Sequence, residues 1–194
     1  QFPDASELVD DFNKFMFRHR EAFTEVEFNR RKEQGFIVLT DYYNKYVESW
    51  NKVVITEYRH NNVLPNGIPI KGAIDKIEFD NKNAVVIDYK TGNVDYAKEK
   101  LQSPNEKNPL GGDYWRQAVF YKILLQGNPK QWEVVKAEFD FVEPNGKKEF
   151  IKQAIDITDA DITTVKQQIN DTWEKIQARD FYKGCGKEDC HWCN

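Results

Sequence analysis

The chain has 194 residues and a formal net charge of −4, and 40% of its residues are hydrophobic and 31% charged. This composition predicts one globular domain with its own core over residues 1–194 and argues against a protein coated in nucleic acid. No run approaches the roughly 18 apolar residues of a membrane span, and the acidic start lacks a signal peptide, so we expect a cytoplasmic protein without a membrane partner.

The predicted elements follow the order α-α-β-β-β-α-β-β-α. Residues 7 to about 50 carry apolar and aromatic side chains at helical spacing, and Gly35 predicts a boundary between two helices or a bend. The later elements are a strand at 52–60, a β-hairpin within 72–92, a long loop at 92–112, a helix at 113–126, strands at 132–142 and 148–157, and a helix from Thr158 to about Arg179. The order indicates an α/β domain.

The hairpin sequence GAIDKIEFDNKNAVVIDYKTG concentrates charge at one end. With the turn centred between Asn81 and Lys82, Asp75 lies opposite Asp88, and Lys90 lies on the same face as Asp88. The predicted face consists of Ala73, Asp75, Ile77, Phe79, Ala84, Val86, Asp88 and Lys90. Two carboxylates about 5 Å apart repel each other, and a hard divalent cation such as Mg²⁺ or Mn²⁺ between them would relieve this repulsion.

A structural interpretation of the same hairpin remains open. Asp-x-Lys is common on strands, where both charges are usually solvated at an edge. A turn centre wrong by one residue would place Asp75 and Asp88 on opposite faces of the sheet. The spacing alone therefore does not choose between a metal site and an ordinary acidic hairpin.

The residues around the aspartates resemble the PD-(D/E)xK nuclease superfamily, and more narrowly the RecB-like nuclease domain of UvrD/RecB-type helicases. The family pattern G-x-x-D, hairpin, D-Y-K-T-G matches Gly72–Asp75 and Asp88–Gly92, and Q-x-x-x-Y matches Gln117–Tyr121. The resemblance covers about residues 53–142. It implies a restriction-endonuclease-like core, with a central mixed β-sheet flanked by helices, and metal-dependent hydrolysis of DNA phosphodiester bonds.

The resemblance also implies roles at the end of the hairpin. Asp75, Asp88 and the backbone carbonyl of Tyr89 would hold Mg²⁺ or Mn²⁺. Lys90 would position the attacking water and stabilise charge on the phosphate. Asp75, Asp88 and Lys90 are therefore the predicted catalytic residues.

Supporting roles are predicted for Glu57, Gln117 and Tyr121. Glu57 is an acid on the preceding strand, where it would assist the metal site or lie solvated at an edge. Gln117 and Tyr121 share one helix face and would hold DNA or the active-site strand, unless Tyr121 only packs in the core. Arg116 and Trp115 would add a phosphate contact and base stacking.

The Cys-rich tail at 181–194 carries Cys185, Cys190 and Cys193, spaced C-x4-C-x2-C. Three thiolates can hold Zn²⁺ or a 4Fe–4S cluster when a fourth ligand is supplied, as in AddB-like relatives, although this chain has no upstream cysteine. Free thiols are the alternative. The candidate histidine ligands for zinc are His19, His60 and His191.

RecB-like domains also place a histidine on their first helix in a G-x-x-x-H setting, and His19 lacks that glycine context. The first residue is also not Met, which indicates a cut-out fragment or a trimmed tag, and we expect a C-terminal fragment of a larger helicase–nuclease. The expected partners are DNA and a helicase domain, in DNA repair or recombination. The alternatives are a catalytically inactive nuclease-like domain that guides DNA or braces a helicase, and an unrelated α/β domain with a structural acidic hairpin.

Overall fold

The computed structural model of the protein describes residues 2–180 and residue 184. The described residues form four α-helices: α1 (Ala5–Arg18), α2 (Glu25–Tyr46), α3 (Asp113–Leu125) and α4 (Asp159–Gln177). They form five strands: β1 (Val54–Val63), β2 (Pro69–Asp80), β3 (Asn83–Lys90), β4 (Glu133–Phe141) and β5 (Ile151–Ile155). Within this part of the chain, no helix combines the length and apolar character that crossing a bilayer requires.

The five strands form one mixed sheet in the order β1-β2-β3-β4-β5. The pair of β3 and β4 is parallel, and the other neighbouring strands are antiparallel. A parallel pair needs a crossover connection, which α3 supplies between β3 and β4. The predicted fold class, a mixed sheet flanked by helices in a restriction-endonuclease-like arrangement, is confirmed.

The two faces of the sheet are covered by different helices. Side chains from β2, β3 and β4 pack against α3 and α4 in one hydrophobic cluster, in which Phe139 and Phe141 are almost fully buried. Strand alternation directs the intervening Asp140 to the other face, where Tyr42 of α2 hydrogen-bonds it. The helical layers thus reach both faces near the carboxyl ends of β3 and β4.

The predicted break at Gly35 is wrong. Gly35 lies inside α2, and the chain instead breaks between Arg18 and Glu25, where Thr24 forms a capping box with Glu27. A Cβ atom at position 35 would lie 2.2 Å from the Phe12 ring of α1. The glycine therefore serves close packing of two helices rather than helix termination.

The hairpin of β2 and β3 has the predicted register, from Phe79 opposite Ala84 to Lys76 opposite Ile87. Beyond the pair of Lys76 and Ile87, the predicted alternation of side chains along β2 is wrong. Residues three apart in a regular strand lie on opposite faces, yet Ile74 and Ile77 are both fully buried in the same cluster, while Ala73 is exposed. An irregularity between them turns β2 away from β3 at Asp75.

Candidate active site

Asp88 lies near the carboxyl end of β3, where only 4% of its surface is exposed. Its Oδ1 accepts hydrogen bonds from the Tyr121 hydroxyl at 2.6 Å and from Gln117 Nε2 at 2.9 Å. Its Oδ2 pairs with Lys90 Nζ at 2.6 Å. A buried carboxylate is tolerated only when it is paired and hydrogen-bonded, and here both oxygens meet that requirement.

The donors to Asp88 come from one face of α3. Gln117 and Tyr121 lie four residues apart, so their side chains are stacked on adjacent turns. A Cβ atom at Gly72 would lie 2.8 Å from Leu124 Cδ2, which explains why the first residue of G-x-x-D is glycine: β2 and α3 approach closely there. The alternative in which Tyr121 only packs in the core and Gln117 is solvated does not hold.

The pKa of the Tyr121 hydroxyl is raised well above its usual value. Burial is the largest cause, and the hydrogen bond to Asp88 is the second. The hydroxyl therefore remains protonated at neutral pH and acts as a donor to the carboxylate. Gln117 also donates to the Tyr121 hydroxyl oxygen at 2.7 Å. The helix thus fixes the orientation of Asp88 through two connected donors.

Lys90 is held by polar and aromatic contacts. Its ammonium donates to Gln117 Oε1 at 2.8 Å, in addition to its pairing with Asp88. It also lies 4.5 Å from the centroid of the Tyr114 ring and 5.1 Å from that of Phe139. Cation–π attraction to the two rings helps to hold the ammonium in this position. Tyr114 was not identified from the sequence, since its proximity to Lys90 requires α3 to be placed on the sheet.

Asp75 is half-buried and lies beside Asp88, where the pairing of β2 with β3 ends. Its Oδ2 accepts a hydrogen bond from the backbone N–H of Tyr89 at 2.9 Å. Burial raises the pKa of the Asp75 carboxyl, the Tyr89 bond opposes this, and the carboxylates of Asp88 and Glu57 add to the increase. Lys90 opposes the increase with the smallest effect, so the protein itself does not fully offset the cost of charging Asp75.

Glu57 occupies the corresponding position on β1. The β1–β2 ladder pairs Thr56 with Lys76 and Tyr58 with Ile74, and it skips Glu57 and Asp75 between them. Glu57 has a φ of 52°, which is rare for a residue with a side chain inside a strand. Such strain is found at functional sites more often than elsewhere, and here it accompanies an exposed acid next to Asp75.

The chemistry of these groups fits a hard divalent cation. Asp75, Asp88 and the Tyr89 carbonyl offer oxygen donors, the ligand type that Mg²⁺ and Mn²⁺ prefer. The raised pKa of Asp75 is caused partly by neighbouring carboxylates, and a cation would relieve that repulsion. Among the described residues, however, no group of three His, Cys, Asp or Glu side chains is placed to hold a metal. The two aspartates would therefore need backbone or water ligands.

The structure does not give Trp115 and Arg116 the expected roles in phosphate binding and stacking. Trp115 is only 3% exposed and packs in the core, so its ring faces are not available to bases. The Arg116 guanidinium donates to the carbonyl oxygens of Leu110 and Gly111 and pairs with Asp113. It fixes the end of the loop before α3.

Two of the candidate zinc ligands, His19 and His60, lie among the described residues. His19 ends α1, and His60 Nδ1 lies 3.3 Å from the Tyr58 hydroxyl on β1. Cys185, Cys190, Cys193 and His191 lie outside the residues that the structure describes. The tail therefore stays a prediction.

A second buried carboxylate escaped the sequence analysis. Asp140 on β4 is 1% exposed, and its Oδ2 accepts from the Tyr42 hydroxyl at 2.5 Å and pairs with Lys152 at 3.0 Å. The only signal in the sequence was an acid between two apolar residues in Phe-Asp-Phe. Its partners come from α2 and β5 and could not be inferred from local spacing.

The chain is similar to one family of known proteins. The model of the PD-(D/E)XK nuclease superfamily matches residues 4–194. No curated protein matches the chain. A solved structure named "Putative exonuclease", from Eubacterium rectale, has a TM-score of 0.55 and 13% identity, and the match covers 100% of this chain and 74% of that one. The structure of SSO0001 has a TM-score of 0.37 and 16% identity over 81% of this chain and 70% of that one.

The Eubacterium rectale structure supports the fold alone, because so few residues are identical. The family match extends over nearly the whole chain and includes the strands and the helix that carry Asp75, Asp88, Lys90 and Gln117. The chain belongs to the PD-(D/E)XK nuclease superfamily.

Proposed function

We propose that the protein is a deoxyribonuclease that hydrolyses DNA phosphodiester bonds with Mg²⁺ or Mn²⁺. The observation that carries the proposal is the convergence of two aspartates and one lysine at the end of β3. Asp88 Oδ2 and Lys90 Nζ lie 2.6 Å apart, and Asp75 is held next to them by the Tyr89 N–H. Membership of the nuclease superfamily supports the reaction class.

A divalent cation held by Asp75, Asp88 and the Tyr89 carbonyl would polarise the phosphate and lower the pKa of a bound water. Gln117 and Tyr121 fix the orientation of the Asp88 carboxylate, since both donate to its Oδ1. In this proposal Glu57 supports the ligand set from β1.

Lys90 has a separate task. Its ammonium stabilises the negative charge that develops on the phosphate oxygens and positions the attacking water. Gln117 Oε1 and the Tyr114 ring hold the ammonium in place, so little reorganisation is needed during the reaction. Asp88 would share its Oδ2 between Lys90 and a bound cation, while Gln117 and Tyr114 keep their contacts with the ammonium.

We also propose that the domain acts in DNA repair or recombination as part of a cytoplasmic helicase–nuclease. The D-Y-K-T-G and Q-x-x-x-Y motifs support this context. Degradation of duplex DNA that depends on ATP hydrolysis by the full-length protein or its complex would test it, and ATP-independent degradation would argue against it.

Iron and zinc analysis of protein purified without oxygen would test whether the Cys tail holds a cluster.

Cleavage of DNA in the presence and absence of a divalent ion tests the activity. Wild type should release products with Mg²⁺ or Mn²⁺ and stop when EDTA is added. Asp88→Asn should be inactive with either ion, because a neutral amide is a poor ligand for a hard cation. Metal-independent cleavage, or an active Asp88→Asn variant, would contradict the proposal.

A catalytically inactive domain that guides DNA or braces a helicase is the second candidate. Two observations favour it: the described residues contain no three-acid metal group, and Asp88 is fully engaged by Lys90, Gln117 and Tyr121. Such a domain would bind DNA with the same affinity in EDTA and Mn²⁺ and never cleave it. Wild-type cleavage would exclude this candidate.

A further inference from the structure

We propose that Lys100 is a substrate-binding residue that contacts a backbone phosphate next to the scissile one. This inference rests on the proposed function, because it takes the phosphate next to Lys90 to be the one that is hydrolysed. It identifies a second cation, in the segment between β3 and α3 that the sequence predicted only as a long loop.

The position of Lys100 is defined by one aromatic ring. Its ammonium lies 5.2 Å from the centroid of Tyr114, and the Lys90 ammonium lies 4.5 Å from the same centroid. The two charges are therefore no farther apart than the sum of these distances, 9.7 Å. A ligand that carries several phosphates could therefore contact both ammonium groups.

The backbone of Lys100 is fixed rather than free. It lies in the short helical turn Glu99–Leu101, between Ala97, which is 3% exposed, and Leu101, which packs against the core. A Cβ atom at Gly112 would lie 2.2 Å from the Lys100 carbonyl oxygen, so the turn sits directly on the start of α3. Gly112 also donates its N–H to the Gln102 carbonyl at 2.8 Å.

The charge of Lys100 is available to a ligand. Its side chain is exposed, and within residues 2–180 no carboxylate lies within ion-pairing distance of its ammonium. Lys90, in contrast, is already paired with Asp88. The two lysines therefore differ: one is part of the reacting group, and the other can attract an anion.

Without a bound metal, the charge around the site is negative. Asp75, Asp88 and Glu57 contribute more charge than Lys90 neutralises, and the whole chain has a net charge of −4. A nucleic-acid backbone approaching this site meets repulsion unless a cation lies along its path. At 0.1 M salt, charges within about 10 Å of each other remain only partly screened, and Lys100 is within that range of Lys90.

The test compares Lys100→Gln with Lys98→Gln. Lys98 is an exposed lysine two residues away, which makes it a matched control for loss of one charge from the same segment. Binding of a short fluorescein-labelled single-stranded oligodeoxynucleotide is measured in EDTA over a series of salt concentrations, and KM and kcat are measured with Mn²⁺.

Lys100→Gln should weaken binding by about two- to fivefold, the effect of one exposed charge contact. It should also reduce the slope of log affinity against log salt by about 0.7, the value for one phosphate of a single strand. Lys98→Gln should leave both values unchanged, and Lys100→Arg should restore the slope. KM should rise and kcat should stay near wild type, because Lys100 does not touch the reacting atoms.

Equal salt slopes for wild type and Lys100→Gln would overturn this inference, whatever the cleavage activity. So would an equal effect of Lys98→Gln, since it would reveal only a general charge effect. Failure of the proposed function looks different: wild type would not cleave with either ion, while the binding measurement in EDTA would still report on Lys100.

Discussion

Two buried aspartates lie one strand apart near the carboxyl ends of β3 and β4, yet they have different surroundings. Asp88 faces α3, and both of its oxygens have partners: Lys90, Gln117 and Tyr121. Asp140 faces α2, and its Oδ2 takes both the Tyr42 hydroxyl and the Lys152 ammonium. Among the described residues, Asp140 Oδ1 has no hydrogen-bond partner.

The two groups use the same kinds of side chain, a carboxylate, a lysine and a tyrosine. At the Asp88 site (Asp88, Lys90, Gln117, Tyr121), a second carboxylate, Asp75, lies beside the first and has a raised pKa. The Asp140 site (Asp140, Tyr42, Lys152) attaches α2 to the sheet. Burial and ion pairing of an aspartate therefore do not identify an active site by themselves, and a like-charged neighbour without sufficient compensation is the more informative feature.

The largest effect expected on stability is that of a divalent ion. Mn²⁺ at about 100 times its Kd should stabilise wild type by about 2.7 kcal/mol, which raises the Tm of a chain of this size by roughly 5–10 °C. Asp75→Asn should lose most of this increase. Tyr42→Phe, which alters only the Asp140 site, should keep it. Calorimetry without any Mn²⁺-dependent shift in wild type would contradict the metal assignment.

The hydroxyls that contact the two aspartates should differ in their contribution to stability. Tyr42→Phe should lower the free energy of unfolding by about 1–3 kcal/mol, because Asp140 then retains only Lys152 among its described partners. Tyr121→Phe should cost less, about 0.5–1.5 kcal/mol, because Asp88 keeps Gln117 and Lys90. Urea unfolding measures both. A greater loss for Tyr121→Phe would show that the Asp88 network depends on its tyrosine.

A smaller effect of opposite sign is expected at Asp75. Burial and the nearby carboxylates raise its pKa in the folded state above the ordinary 3.8, so the folded protein holds this proton more tightly than the unfolded chain. Stability is therefore lost as the pH rises from the unfolded pKa through the folded one. Without metal, Asp75→Asn should gain less than about 1 kcal/mol at neutral pH, since the half-exposed site is screened.

The gain in stability of Asp75→Asn over wild type should disappear at a pH below the ordinary carboxyl pKa, because Asp75 of wild type is then protonated and neutral. Asp88→Asn is the contrasting variant, because it breaks the pair with Lys90 and should destabilise the protein at neutral pH. Thermal unfolding at two pH values in EDTA distinguishes the two. A loss of stability in Asp75→Asn at neutral pH would show that its charge is compensated.

Much of the fold could be predicted from the sequence, since local signals determine it. Hydrophobic periodicity and turn residues gave the order of the elements. The turn at Asn81 gave the register of β2 and β3, and Thr158 with Asp161 forms a capping box at the predicted start of α4. The prediction at Gly35 was wrong because glycine can either end a helix or allow two helices to pack closely. Only the position of Phe12 shows that Gly35 serves helix packing.

The candidate site was predictable where residues are close in sequence and unpredictable where they are not. Asp88 and Lys90 lie on one strand, whereas the contact of Lys90 with Tyr114 depends on how α3 is placed on the sheet. The predicted stacking by Trp115 failed because the phase of a helix on a sheet decides which aromatic ring is buried. The left-handed backbone of Glu57 has no sequence signal of the kind that glycine provides.

The central claim is that Lys90 belongs to a reacting site and Lys152 to a structural one. Cleavage of a labelled DNA with Mn²⁺ by Lys90→Ala and Lys152→Ala, at matched concentrations of folded protein, tests it most directly. Lys90→Ala should lower kcat by about 10²–10³-fold, as expected for loss of one charge-stabilising donor, while Mn²⁺ still raises its Tm. Lys152→Ala should cleave at close to the wild-type rate. Wild-type cleavage by Lys90→Ala, or equal losses in both variants, would contradict the account.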